Sequence, residues 1–431
     1  MPFLLNRQQN SQEMPNLWAF AVISKEGSVS SFGHPFYGGR GAPAPESSRV
    51  KAIVPNGGAF AAVYRDGRVR SWGSADFGGN FSYNPSSLGT RVKRVFSTGN
   101  AFAGLRADGT VIAWGRDTSG GQLDKTREKT PADIQKQIGS NAIGIYSTEN
   151  AFAALKRNGR IVTWPNDSFG GNSRQIKDRI SSIVANRYAF AAITRSGGVT
   201  AWGSKDFGGL INKETQNQLR GKVRSITSTA TAFASLTRNG KVLTWGSEAM
   251  GGRPPERVQN LLNQDVKSIS ATESAFAALK KNGDIITWGD QSSGGKISKG
   301  LADRITGVRS IHASNFAFSA IGRNRIVTWG SKEAEGVTPI PSGERIRKVV
   351  SSSEAFAALT NKGRVISWGR TDFGGRPPQD IKPLLNGNVV DLQANFAAMA
   401  AIRSDGRVVT WGDSDFGGKK VFNIPGLADS F

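Results

Sequence analysis

Apolar positions along the chain fall into short runs that return in the same order. The best-preserved stretch, residues 266–295, reads VKSISATESAFAALKKNGDIITWGDQSSGG. Two apolar runs flank Asn282-Gly283, a dipeptide that tolerates the positive φ of a tight hairpin turn. Equivalent turns occur at Asp66-Gly67, Asp108-Gly109, Asn158-Gly159, Asn239-Gly240 and Asp405-Gly406. A third run precedes each hairpin, as at Val50–Val54, Val92–Phe96, Ile180–Val184, Val223–Thr227, Val266–Ser270, Val308–His312 and Ile346–Val350, often with Lys or Arg at alternate positions. Each predicts a further strand. The stretches between units, such as Pro254–Leu262 and Pro377–Leu385, fit either an outer strand or one helical turn opened by proline.

The runs are periodic. A Phe–Trp pair twelve residues apart recurs at Phe60/Trp72, Phe102/Trp114, Phe152/Trp164, Phe190/Trp202, Phe233/Trp245, Phe276/Trp288 and Phe356/Trp368. Phe20/Phe32 and Met399/Trp411 are variant first and last copies, and Phe318/Trp329 is one residue shorter. This makes ten units over residues 17–420, between a polar leader (1–16) that reads as disordered and a tail (421–431). A two-residue loop at Asn282-Gly283 would pair Lys281 with Asp284 and therefore Ala277 with Trp288, a small residue against a large one. A three-residue loop at the shortened tip, Arg323-Asn324-Arg325, would likewise pair Ser319 with Trp329. Strands apolar on both faces must be covered on both faces. That predicts an all-β, propeller-like ring of ten short units with three to four antiparallel strands each. A ring of ten, a smaller ring with extra stacked units and an open spiral all satisfy the pattern. Val421-Phe422-Asn423-Ile424 is a candidate ring-closing strand, since the first unit lacks its leading strand.

Composition removes several classes. There is no Cys, so no disulfide framework, thiol nucleophile or thiolate metal site. Two histidines, His34 and His312, cannot build a three-histidine centre. The single carboxylate in each Asp-Phe loop is too few for calcium, which takes six to eight oxygens. No metal or other cofactor is expected. No apolar run reaches the roughly 18 residues of a membrane span, and the N-terminal apolar stretch is too short for a cleavable signal. The chain is expected in the cytoplasm, or exported without such a signal. No nucleophile elbow, phosphate loop or paired-carboxylate motif marks an enzyme, and none is expected.

The pattern A-F-A-A-L-x-x-[ND]-G-x-[VI]-x-x-W-G, followed by a Gly-Gly turn, resembles the repeat of the regulator of chromosome condensation family. That family's blade has a His-Ser-x-x-Leu strand, an Asp-Gly turn and a Val-x-x-Trp-Gly strand. Here Ala275 and Phe276 stand in the places of the His and the hydroxyl residue. The short repeat is similar to that of the bacterial β-lactamase-inhibiting propeller. The resemblance implies a β-propeller. A guanine-nucleotide exchange role on a Ran-like GTPase follows from it by analogy alone, without a long insertion to act as a wedge.

Charge bears on partners. Fifty-six Lys and Arg against 33 Asp and Glu give +23. Base concentrates at the hairpin tips: Arg65, Arg68, Lys156, Arg157, Arg160, Arg238, Lys241, Lys280, Lys281, Arg323, Arg325, Lys362, Arg364, Arg403 and Arg407. In a propeller these share one rim, which would meet an acidic protein surface or a polyanion such as nucleic acid or acidic glycan. The opposite reading is that they are solvated turns. The loops at Asp76-Phe77, Asp206-Phe207, Asp372-Phe373 and Asp415-Phe416 read as Asp-capped turns with Phe packed between blades. The expectation is a non-enzymatic binding protein, such as a bacterial effector or inhibitor.

Overall fold

A computed structural model of the chain describes residue 16 and residues 18–24, 27–123, 134–165, 167–305 and 307–423. Nearly all of the leader lies outside these residues, as does the tail beyond Asn423. The described residues form ten antiparallel sheets: one of two strands, six of three and three of four. The architecture is all-β and propeller-like. The chain divides into two compact units, Met1–Gly221 and Lys222–Phe431, with repeats one to five in the first and six to ten in the second.

The hairpin register differs from the expected one by a single residue. In the seventh repeat Phe276, not Ala277, faces Trp288. The loop has three residues, Lys281-Asn282-Gly283, closed by the Lys280 amide donating to the Asp284 carbonyl at 2.8 Å. Gly283 takes φ +95° and the Asn282 side chain accepts from the Asp284 amide at 3.0 Å, the geometry of a type I turn with a glycine bulge. One residue of slip turns every side chain to the other face. The two aromatic rings therefore stack on one face, with centroids 5.2 Å apart. The eighth repeat keeps Phe318 opposite Trp329 by using the shorter loop: Gly322 donates to Arg325 across Arg323-Asn324 alone.

That register sorts the A-F-A-A-L strand. Its first, third and fifth side chains face the next sheet, and its second and fourth face the previous one. Ala101, Ala103 and Leu105 pack against Phe152, Ala154 and Trp164 of the following sheet. Ala151, Ala153 and Leu155 pack against Phe190, Ala192 and Trp202. The second compact unit repeats the arrangement, with Ala232, Ala234 and Leu236 on Phe276, Ala278 and Trp288. Small side chains on one sheet let the wide Phe–Trp face of the next approach closely. Each buried ring is worth roughly 2–3 kcal/mol in transferred area.

The Gly-Gly turn completes the joint. The Trp288 indole donates to the Gly251 carbonyl at 3.1 Å, and Trp164, Trp202, Trp329 and Trp411 bond the preceding Gly in the same way. A Cβ on Gly251 would stand 2.7 Å from the Phe276 ring, and one on Gly252 only 2.3 Å from the Gly246 carbonyl oxygen. The turns between first and second strands are chained by backbone hydrogen bonds. In the first unit Gly57, Gly99 and Glu149 donate in turn to Gly99, Glu149 and Arg187. In the second, Ala230, Glu273, Asn315 and Ser353 donate to Glu273, Asn315, Ser353 and Phe396.

Outside the third strand both sequence alternatives occur. The eighth repeat adds a strand, Gly336–Pro339, and the sixth a helix, Glu256–Leu261. The tail strand Lys419–Asn423 pairs with Arg407–Trp411 of its own repeat, so its place is the outer edge of the tenth sheet and not the first hairpin. Asn16, the last residue of the expected leader, is held by the first repeat. It is buried, accepts from Trp18 and Ala19, and donates to the Tyr37 carbonyl at 2.9 Å.

Two glycine substitutions separate contact from conformation. Gly295→Ala places a Cβ 2.2 Å from the Gly289 carbonyl oxygen and is expected to cost about 3 kcal/mol. Gly283→Ala meets nothing within 3.8 Å but holds φ +95°, and is expected to cost about 1–2 kcal/mol. Urea unfolding of both variants checks the order.

Candidate functional site: the hairpin-tip face

The turns between second and third strands gather at one end of each stack because consecutive sheets run in register. A Cβ on Gly67 would meet Arg91 of the next repeat, and one on Gly159 would lie close to Arg179. The Arg195 guanidinium donates to the Arg157 carbonyl of the neighbouring tip at 2.7 Å. The sequence-predicted cations therefore share a face within each compact unit.

They are not equivalent. Arg68 pairs with both Glu46 and Asp66, and Arg364 with Glu344 at 3.1 Å. Arg403 is buried, held by Asp405 at 2.9 Å and by the Leu384 and Gly387 carbonyls, so it braces the tenth tip. Arg407 shares Asp405 at 2.6 Å, and Lys281 reaches Asp265 at 3.5 Å. Lys156, Lys280 and Arg325 are engaged by the carbonyls of Gln137, Leu261 and Arg304. Lys241 lies at its tip half-buried. Arg65, Arg157, Arg160, Arg238, Arg323 and Lys362 are exposed, and among the described residues they form no ion pair.

The tip face of each unit also holds cations that the hairpin pattern missed. Arg49, Arg91, Arg179, Lys222 and Arg345 each precede a first strand, and each carbonyl accepts a tip amide at 2.7–2.9 Å. The signal for them was the residue just ahead of each leading run. Carboxylates interrupt the face at Asp66, Asp108, Asp265, Asp284 and Asp405.

The opposite end of each stack carries the Asp-Phe loops, a 3₁₀ turn at Ala75–Phe77 and Thr371–Phe373, a π-helical segment at Lys205–Gly209 and a plain turn around Asp415. Asp76, Asp206, Asp372 and Asp415 are exposed and do not cap these turns. The cap comes from 21 residues upstream. Asn56, Asn186 and Asn395 donate to the carbonyls of Phe77, Phe207 and Phe416 at 2.7–2.8 Å while accepting from their own strand. Phe77 packs edge-on to Tyr37 and Phe373 edge-on to Phe396, so these rings are half-buried scaffold. Asp117 and Glu248 are also exposed there, beside the exposed Arg116, Lys205 and Arg253.

No protein-family model matches the chain, and no curated protein does. Solved structures similar to it include human WBSCR16, at 13% identity over 90% of this chain and 99% of that one, with a TM-score of 0.40. Prp20p from Saccharomyces cerevisiae, described for its binding to Gsp1p and histones, is 15% identical over 96% of this chain and 85% of its own, with a TM-score of 0.36. The ectodomain of the Arabidopsis thaliana receptor kinase ACR4 is 16% identical over 62% and 90%, with a TM-score of 0.35. Among the described residues no helix is long and apolar enough to cross a membrane.

Electrostatics at the tips follow from these contacts. Hydrogen bonds from Arg407, joined by Arg403, hold the Asp405 carboxyl well below the usual range. Burial, with the nearby Glu46 charge, pushes the Tyr64 hydroxyl up to about 12. Its folded value lies above the unfolded one of about 10, so its share of stability is complete below pH about 10 and fades as the pH rises toward 12. An absorbance titration should show a tyrosinate step near pH 12 that disappears in Tyr64→Phe.

Proposed function

We propose that this is a non-enzymatic binding protein whose hairpin tips, gathered on a face of each compact unit, recognise an acidic surface on a partner protein. The observation that carries this is the set of exposed cations without carboxylate partners: Arg65, Arg157, Arg160, Arg238, Arg323 and Lys362. They stand on short turns tied into the sheets, so little side-chain-bearing backbone must be ordered on binding. The interspersed Asp66, Asp108, Asp265, Asp284 and Asp405 break a continuous phosphate track and suit a mixed polar surface. An effector or inhibitor would use such a face.

A polyanion reading draws on the same cations, and salt separates the two. Wild type and an Arg157→Ala/Arg160→Ala/Arg238→Ala variant are titrated with poly-glutamate and with an oligothymidylate by fluorescence anisotropy. Each exposed ion pair contributes up to about 1 kcal/mol. The variant should therefore bind poly-glutamate roughly 10- to 100-fold more weakly at unchanged melting temperature. Equal affinity would remove the tip face as the site. A steep oligothymidylate salt slope, about 0.7 per phosphate contacted, would favour the polyanion instead.

A further inference from the structure

The fourth repeat differs from the second, eighth and tenth at the outer edge of its sheet. Its third strand, Ile161–Pro165, pairs only with Ala151–Lys156. The Lys156 amide donates to the Arg160 carbonyl at 2.8 Å, which makes these two a hydrogen-bonded pair. By alternation, Val162 and Trp164 turn their backbone groups inward, and Ile161 and Thr163 turn theirs outward. The second and sixth repeats use those outward amides, whereas the third, fifth, seventh and ninth are three-stranded like the fourth, which differs from them in the groove beside its edge. Ser71, one residue before Trp72 as Thr163 is before Trp164, donates to the Phe81 carbonyl at 2.8 Å. Val242, three before Trp245 as Ile161 is before Trp164, donates to Leu262 at 2.8 Å. In the eighth and tenth repeats a full antiparallel strand occupies this edge. Among the described residues the Ile161 and Thr163 amides have no hydrogen-bond partner.

A groove of about 520 Å³ runs along this edge. Arg160, Arg174 and Lys177 bring positive charge to it, Ile134 and Ile176 give it apolar footing, and none of its lining residues is acidic. Arg160, Arg174 and Lys177 are exposed, whereas Thr163 is 7% exposed. A strand edge that three sister repeats fill with a strand, its amides unpaired among the described residues and beside a groove whose lining carries no carboxylate, fits one occupant by shape and charge.

We infer that the outer edge of the fourth repeat receives an extended acidic segment of a partner protein as an added antiparallel strand. The segment's backbone would satisfy Ile161 and Thr163, its carboxylates would meet Arg174 and Lys177, and its alternate apolar side chains would rest on Ile134 and Ile176. About five residues, roughly 17 Å of strand, span the edge. This rests on the proposed recognition of acidic partners and names the form that a segment of such a partner takes.

The test uses the full-length protein and a fluorescein-labelled nine-residue peptide of alternating Glu and Val. Thr163→Pro removes an outward amide, a substitution that edge strands accept, and Thr163→Val, which keeps the amide and loses only the hydroxyl bond to Ser173, is its control. The proline variant is expected to weaken peptide binding about tenfold, as is Arg174→Ala/Lys177→Ala. Amide exchange of Ile161 and Thr163 in the unsubstituted protein should be fast alone and slow with peptide, whichever variants fold. Several results would overturn the inference: undiminished binding by Thr163→Pro, unchanged exchange on peptide addition, no binding at all, or both amides already protected without peptide, which would mean the chain fills its own edge. Arg65→Ala/Arg238→Ala/Lys362→Ala, none of them among the groove's lining residues, marks the hairpin tips. If it alone abolishes peptide binding, the edge proposal fails and the tip reading stands. If it leaves poly-glutamate binding unchanged while Thr163→Pro still weakens the peptide, the tip reading fails and the edge holds.

Discussion

Everything in each stack depends on how closely one sheet can approach the next. The joint is asymmetric: Ala and Leu from one strand form a shallow face, and a Phe–Trp pair from the following repeat covers it. The indole N–H is buried with its ring and needs an acceptor, since an unpaired buried donor costs about 1–3 kcal/mol. In most repeats the carbonyl of the preceding Gly-Gly turn supplies it, and the missing Cβ of that Gly makes room for the Phe ring, while Trp114 and Trp368 use the hydroxyls of Ser71 and Thr328. Packing, hydrogen bonding and glycine geometry are thus one interaction repeated.

This joint also explains why the tip face can carry so much charge. The core lies between sheets, so the turns need contribute nothing to it beyond a short loop that keeps Phe opposite Trp. The eighth repeat makes the point, since its tip lost a residue and changed turn class while Phe318 and Trp329 kept their pairing. Tips are free to vary in sequence, and here that freedom is filled with Arg and Lys. Part of that charge is spent on structure. Arg403, buried against Asp405 and two carbonyls, is a brace for the tenth tip and not a contact residue.

Much of the scaffold was legible because each repeat states it again. The Phe–Trp spacing, the Asx-Gly tips and the leading runs place the strands without a structure. The register was not legible to better than one residue, because Asn-Gly serves both two- and three-residue loops, and only the closing bond from Lys280 to Asp284 decides between them. The capping role of Asn56 and its counterparts was hidden as well. Asn, Thr and Ser alternate at that position, as in Asn56, Thr98 and Ser352, and their partner lies 21 residues on.

Chain order alone makes this a tenfold repeat of short antiparallel strands with glycine-dependent turns and basic tips. These follow from local periodicity and from the φ demands of single residues. Folding in three dimensions settled which cations are spent in ion pairs, that Arg49, Arg91, Arg179, Lys222 and Arg345 join the tips, and that the edge amides of the fourth repeat are unpaired among the described residues. Those outcomes depend on which residues from distant repeats come within hydrogen-bond reach, and chain order alone does not fix that distance.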